Sequence, residues 1–546
     1  MINALPFGQS GGFGEGKRAN EHYYSSGFRR TPQGITTGYG VSVLKDSVSL
    51  SGLGNIKYFA DKNGRLYAQD DNGKIYEEAT PGAGDFALLH SPSGSNGAGL
   101  IGDQKGRLLA FGNSTIDKYE ATTWTDDWQI GLQSWQHPAD LYEDLVVFGN
   151  KYQVGVIYSD DSMNDAAFGL PTSFDVTCIR SGKNGILIGA NLGYSGYLIL
   201  WNPLYDRSAA PWIPVSGKVQ SIERTDDGWI VVTQKAIIWT NGYSTQQLAS
   251  LLDDPFGFAM YTVAPQGTLR INDKLFILNQ NSGYLRLKAG IYVFDLTTNT
   301  FEFLPVSTQN TWSVTPLTIF ASKTSTQNIV VGYQDAELSK NYVGSIRVDS
   351  GTHATFISEP VAAGPGDKAS EAAILSLMPS LESRGKGAMN FDVALKIYDF
   401  ERPLWGWHAT NALAASAITL RVNGTSTSAF RAQVGDEVTI LEGANAGQVR
   451  HITSIANEGA SNETWMMDEA FSNATASGID MQVEPWKLIE KKSFQDETQI
   501  PELYFNDTEK HRGKRFMLKT VIENLSNVQL ELQPSTFIYD DLGPTT

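Results

Sequence analysis

Seven histidines, one cysteine and several adjacent aspartates are the residues of this 546-residue chain whose types could do chemistry. The histidines (His22, His90, His137, His353, His408, His451, His511) show no H-x-x-x-H spacing, and one thiol cannot build a thiolate zinc site. No metal ligand and no cofactor is expected from these patterns. Cys178, flanked by Thr177 and Ile179, reads as a small buried strand residue, and no disulfide can form within the chain. No G-x-S-x-G elbow marks a nucleophile. The pairs Asp126-Asp127, Asp160-Asp161, Asp226-Asp227 and Asp253-Asp254 invite comparison with paired glycosidase carboxylates. Beside Gly, Asn or Trp, however, they are what turns require. Asp61-Lys62-Asn63-Gly64 and Asp70-Asp71-Asn72-Gly73 lack the distal Glu of a calcium loop and read as turns too. The chain therefore reads as a non-enzyme with no catalytic residues. What remains is aromatic: Trp124, Trp128, Trp135, Trp405 and Trp407 could stack on a sugar or anchor a protein interface.

The elements that would position these residues are strands. Ile56-Lys57-Tyr58-Phe59-Ala60 and Arg65-Leu66-Tyr67-Ala68 flank a tight turn, and Gly99-Leu100-Ile101-Gly102 with Arg107-Leu108-Leu109-Ala110-Phe111 repeats the pattern. Similar apolar runs begin at Leu145, Gly185, Gly228, Lys274 and Asn328. Most neighbours are roughly 40 to 50 residues apart, the period of a four-stranded propeller blade. Asn63-Gly64, Asn72-Gly73, Asn184-Gly185, Asp227-Gly228 and Asn241-Gly242 supply the turns. Residues 41–353 are thus expected to form a degenerate β-propeller of about seven blades. Only residues 244–252 and 368–378 suggest short helices.

Before the repeats, residues 1–40 mix glycine with Arg29, Arg30, Tyr23, Tyr24, Phe28 and Tyr39. Such a segment cannot bury a core of its own. It is expected to be an extended arm, ordered against a neighbour or against its own chain. After the repeats, residues 354–403 and 484–546 read as one β-sandwich, exemplified by the alternating run Asn390-Phe391-Asp392-Val393-Ala394-Leu395. Residues 404–483 interrupt it with short strands of an SH3- or OB-like barrel. The fold class is all-β. The net charge of −17 argues against general nucleic-acid affinity, though an acidic passage would let DNA slide without sticking. Met1-Ile2-Asn3-Ala4-Leu5-Pro6 lacks the features of a signal peptide, and no apolar run approaches the roughly 20 residues of a membrane span.

An arm, a propeller and a sandwich broken by a barrel containing Gly435-Asp436-Glu437-Val438-Thr439-Ile440 and Asn445-Ala446-Gly447-Gln448-Val449-Arg450-His451-Ile452 together resemble virion structural proteins of tailed bacteriophages. The resemblance is strongest to propeller-bearing tail nozzle or hub proteins. It implies a homo-oligomeric ring around the tail axis, forming part of the DNA conduit and joining other tail proteins. It also implies assembly in the host cytoplasm and residence in the virion, with DNA passing transiently during ejection. The alternative is a propeller that binds or cleaves glycans, such as a tail protein recognising a host surface glycan through its tryptophans.

Overall fold

The computed structural model describes residues 2–7, 24–26, 28–30, 35–37, 40–81, 83–92, 96–205, 212–250, 266–280, 290–297, 300–304, 306, 314–323, 329–335, 339–347, 354–357, 361–362, 371–384, 389–398, 407–410, 418–423, 432–440, 443–445, 448–457, 462–497, 512–513, 515–526 and 529–543. Every helix-or-strand element among them is a strand. They fall into two compact units: Ser42–Asn299 with Val314–Ile346, and Met1–Val41 with Thr300–Ser313 and Arg347–Thr546.

The first unit is a seven-bladed β-propeller. Its first blade runs Ile56–Lys62, Arg65–Asp70, Ile75–Glu78 and Phe86–His90. Lys62 pairs with Arg65, so the intervening turn is Asn63-Gly64, with φ of 48° and 79°. A two-residue hairpin loop with both φ values positive is the type that follows the right-handed twist of its strands. Blade 2 is Gly99–Gly102, Leu108–Phe111, Thr115–Glu120 and Thr123–Ile130. Blades 3 to 5 repeat the four-stranded meander, starting at Ala139–Tyr142, Asp175–Gly182 and Val219–Arg224. Blade 6 has Thr268–Ile271, Lys274–Asn279 and Gly290–Asp295 within this unit. Blade 7 is Val314–Ala321, Ile329–Asp335 and Lys340–Arg347, completed by the early strand Gly40–Asp46.

The first strands of successive blades lie side by side, and that of blade 7 returns against that of blade 1, which closes the ring. Between blades lie separate apolar cores. Tyr58, Tyr67 and Ile75 of blade 1 meet Leu100, Leu108 and Tyr119 of blade 2, and Phe111 and Ile116 of blade 2 meet Val146, Phe148 and Ile157 of blade 3. Second strands are buried on both faces, as Leu145–Asn150 is throughout, which makes them continuous apolar runs rather than alternating ones. Each fully buried Val, Leu, Ile or Phe there contributes roughly 1.5–3 kcal/mol. Polar clamps complete the closure. The Gln266 amide bonds both the N–H and the carbonyl of Phe59 at 2.8 Å and accepts from Thr318 Oγ1 at 3.2 Å. Asp61 accepts from Ser322 Oγ at 2.8 Å and from the Lys323 N–H at 2.7 Å.

The second unit holds the sandwich and its insertion. Met389–Tyr398 pairs with Lys487–Glu497 on one side and Arg515–Ser526 on the other. Glu371–Arg384 pairs along Gln529–Gly543 in the other sheet. The arm takes its own chain as partner: Ile2–Phe7 and Ile35–Thr37 both pair with Gln529–Gly543, and Tyr24–Ser26 pairs with Ala354–Ile357. The insertion is a six-stranded sheet in the order Trp407–Thr410, Asp480–Glu484, Glu437–Ile440, Val449–Ala456, Asn462–Met467, Thr419–Asn423. Its two end strands approach each other around Leu420, Val438, Ile440, Ile452, Trp465, Met481 and Val483.

Both expected helices are strands. Within 244–252 lies Thr245–Ser250, paired with Ala236–Thr240. Within 368–378 begins Glu371–Arg384. Ala, Leu, Met and Gln favour a helix locally, but pairing with a waiting strand edge satisfies the backbone groups that face it, and this tertiary pairing overrides the weak propensity.

Candidate functional site

Blade 2 gathers Trp124, Trp128 and the aspartates that turn chemistry singled out. Trp124 stands on the strand Thr123–Ile130, where its ring lies between two others. His90, ending the last strand of blade 1, stacks on it at 4.2 Å and 10°, and Tyr119 stacks at 4.9 Å and 19°. Both faces of Trp124 are therefore occupied within the protein. Trp128 packs against the core between blades 2 and 3, with the Lys118 ammonium 5.0 Å and the Arg107 guanidinium 5.5 Å from its ring. Arg107 in turn donates to Asp103 and Asp161 at 2.6 Å each. Trp135 donates its indole N–H to the Val176 carbonyl at 3.2 Å, tying the loop after blade 2 to blade 4. Trp407 lies on a barrel strand opposite Val483, and its side chain is outside the described residues, as is all of Trp405.

Next to the Trp124 stack, three ligand-type side chains converge. His90 Nε2 is 3.1 Å from Asp126 Oδ1 and 4.0 Å from Asp117 Oδ2, and one ligand atom from each residue lies within 4.8 Å of the other two. Asp117 is buried, and its Oδ1 accepts the Asp127 N–H at 2.8 Å. Burial pushes the Asp117 carboxyl above its ordinary range, and the neighbouring Asp126 adds to the shift against that hydrogen bond. Asp126 is half-exposed, at 55% of its side-chain surface. His90 Nε2 and Trp124 Nε1 are both buried and neither makes a hydrogen bond. This constellation is illegible from spacing, because its members come from two blades and three strands. Asp126 and Asp127 form no turn, contrary to expectation: both lie within the strand Thr123–Ile130, and Asp127, at φ 49°, sits where the register with Thr115–Glu120 shifts, as in a β-bulge. Asp161 likewise has φ 72°, and Asp160 accepts from the Ser162 N–H at 3.0 Å. Asp70 anchors its turn by accepting from the N–H groups of Asn72 and Lys74. Asp253 and Asp254 lie outside the described residues.

The barrel carries a second charged cluster within the motif Gly435-Asp436-Glu437. Glu437 is buried and bonds the ammonium of Lys396 on one oxygen and that of Lys519, at 2.6 Å, on the other. Both lysines stand on sandwich strands, so this carboxylate joins barrel to sandwich. Burial alone would raise its pKa, but the two ammonium groups hold it well below the carboxylate range. His451 lies 3.8 Å from Glu437 and pairs its Nδ1 with Asp468 at 2.9 Å. Burial keeps the His451 imidazole below its ordinary pKa against the pull of Asp468. An isolated buried carboxylate would be untenable, and two cations with direct hydrogen bonds make this one stable as an ion. Cys178 is buried on a blade 4 strand, and burial pushes its thiol up to about 12, so it is chemically quiet.

No protein family and no curated protein matches the sequence. Solved structures similar to it include the AfRom2 CNH domain, 13% identical, covering 56% of this chain and 99% of that one at a TM-score of 0.39. A chain of the Mitotic Checkpoint Complex is 10% identical, with coverage of 56% and 92% and a TM-score of 0.39. A chain of the BBS1N complex with ARL6DN is 9% identical, with coverage of 58% and 99% and a TM-score of 0.38. These likenesses concern the fold and carry nothing about chemistry.

Proposed function

We propose that this chain is a structural component of a phage tail, a nozzle, hub or adaptor protein that oligomerises around the tail axis and forms part of the DNA conduit. The observation that carries the reading is the order of parts: an arm, a propeller, and a sandwich interrupted by a small barrel. Two further features support a mechanical role. Propeller closure rests on polar clamps as well as apolar cores, and the barrel is tied to its sandwich by the Lys396–Glu437–Lys519 cluster. Tyr194 and Tyr205 are 85% and 75% exposed on the propeller, aromatic surface of the kind that anchors subunit contacts. With a net charge of −17, surface facing a lumen would repel DNA and leave it free to move.

The glycan-binding reading starts from the tryptophans; the exposed Tyr194 and Tyr205 would give it another stacking surface. Trp124 suits it less well, because His90 and Tyr119 cover its faces. Sedimentation of the full chain over a range of concentrations, beside a glycan-binding screen, separates the two. The assembly reading expects a defined high-order oligomer and no glycan retained. A monomer at every concentration that retains a glycan, and loses it with Tyr205→Ala, would replace the assembly reading with receptor recognition.

A further inference from the structure

We propose that His90, Asp117 and Asp126 bind a divalent transition-metal cation of the zinc class, which staples the outer strands of blades 1 and 2. Two ligand atoms bound at about 2.0–2.1 Å to one tetrahedral ion are separated by about 3.4 Å. The His90 Nε2 separations of 3.1 Å to Asp126 and 4.0 Å to Asp117 bracket that value. An ordinary ion pair is the competing account, and it meets an obstacle. Despite the 3.1 Å separation, His90 Nε2 makes no hydrogen bond, so it does not donate in line to Asp126. A buried ring nitrogen without a hydrogen bond, beside two carboxylates, is satisfied by a cation on its lone pair. The same cation offsets the repulsion between Asp117 and Asp126.

The surroundings hold the ligands in place. The Trp124 ring fixes the plane of His90 by stacking, and the Asp127 N–H fixes the carboxylate of Asp117. Such contacts behind the ligand atoms are what orient a metal site. Exposure of Asp126 gives the ion its route from solvent. One imidazole with two carboxylates suits zinc better than magnesium or calcium, which take oxygen shells. The chemistry is structural: the site joins strands of two blades, and binding to the folded state alone raises stability by mass action.

The test uses the full-length chain, stripped with a chelator and titrated with ZnCl2 by calorimetry, with melting followed in parallel. The expected result is saturable zinc binding and a higher Tm, with MgCl2 giving neither. Asp126→Asn is exposed and leaves the fold standing. It should weaken zinc binding by at least the roughly 10- to 100-fold that disturbing a ligand's hydrogen-bond partner causes. His90→Gln should do the same. Equal zinc affinity in wild type and Asp126→Asn, an unmoved Tm in excess zinc, or equal binding of magnesium would overturn the proposal.

Discussion

Glu437 is the residue on which the barrel's attachment turns. Glu437→Gln leaves Lys396 and Lys519 facing a neutral amide, and breaking a buried ion cluster from one side destabilises by about 3–5 kcal/mol. Urea unfolding of the two proteins measures it, and a difference under ~1 kcal/mol would mean the cluster contributes little. Buried histidines set a pH dependence. His451 and His137 both have folded pKa values below the ordinary 6.5 because burial disfavours the imidazolium. The unfolded chain binds those protons first, so stability is present above about pH 6.5 and falls as pH drops below it. Glu437, held below its ordinary 4.5, adds a second loss as pH falls through and below that value. Melting temperature should therefore decline in two stages between pH 7 and pH 3, and His451→Gln should flatten the first. A Tm that rises on acidification would contradict these assignments. The quiet Cys178 and the turn at Asp160-Asp161 were legible in sequence, because burial in a β-branched run and turn chemistry are local properties, whereas the bulge at Asp127 depends on the register of its strand with a neighbour. The gathering of His90, Asp117 and Asp126 was not, because it depends on how two blades face each other.

At the scale of elements, the strand Gly40–Asp46 completes blade 7 although it precedes blade 1 in the chain. This joins the beginning of the propeller to its end by backbone hydrogen bonds. A truncation of residues 1–38 keeps all seven blades, whereas a truncation through residue 46 removes the closing strand. The first should leave the propeller's melting transition in place while altering the sandwich unit, which loses Ile2–Phe7 and Ile35–Thr37. The second should lower the propeller transition by several degrees or abolish it. Equal propeller transitions in the two truncations, followed by hydrogen exchange, would show that closure rests on side chains such as Gln266 and Asp61 alone. The repeat was readable because second strands are continuous apolar runs at a regular spacing, as in Leu145–Asn150. Thr245–Ser250 and the long strand Glu371–Arg384 carry a composition that favours a helix, and they are strands because the partners that claim them lie elsewhere in the chain.

Across the whole molecule, one acidic chain folds into a seven-bladed propeller and a sandwich-and-barrel unit. The fold class was legible because patterning and turn spacing are written into each blade. The pairing of the arm with Gln529–Gly543 was not, because an edge strand's partner is fixed only when the distant chain has folded. The proposed function rests, at this scale, on assembly. In the proposed ring of copies, exposed tyrosines such as Tyr194 and Tyr205 would supply contacts between neighbours, and the acidic charge would line the passage through the centre. The measurement that tests this most directly is electron microscopy of the purified full chain, with particles classified by symmetry. Closed rings with rotational symmetry and a central opening wide enough for duplex DNA are the expected result. Asymmetric single copies at every concentration, unchanged when neighbouring tail proteins are supplied, would contradict it.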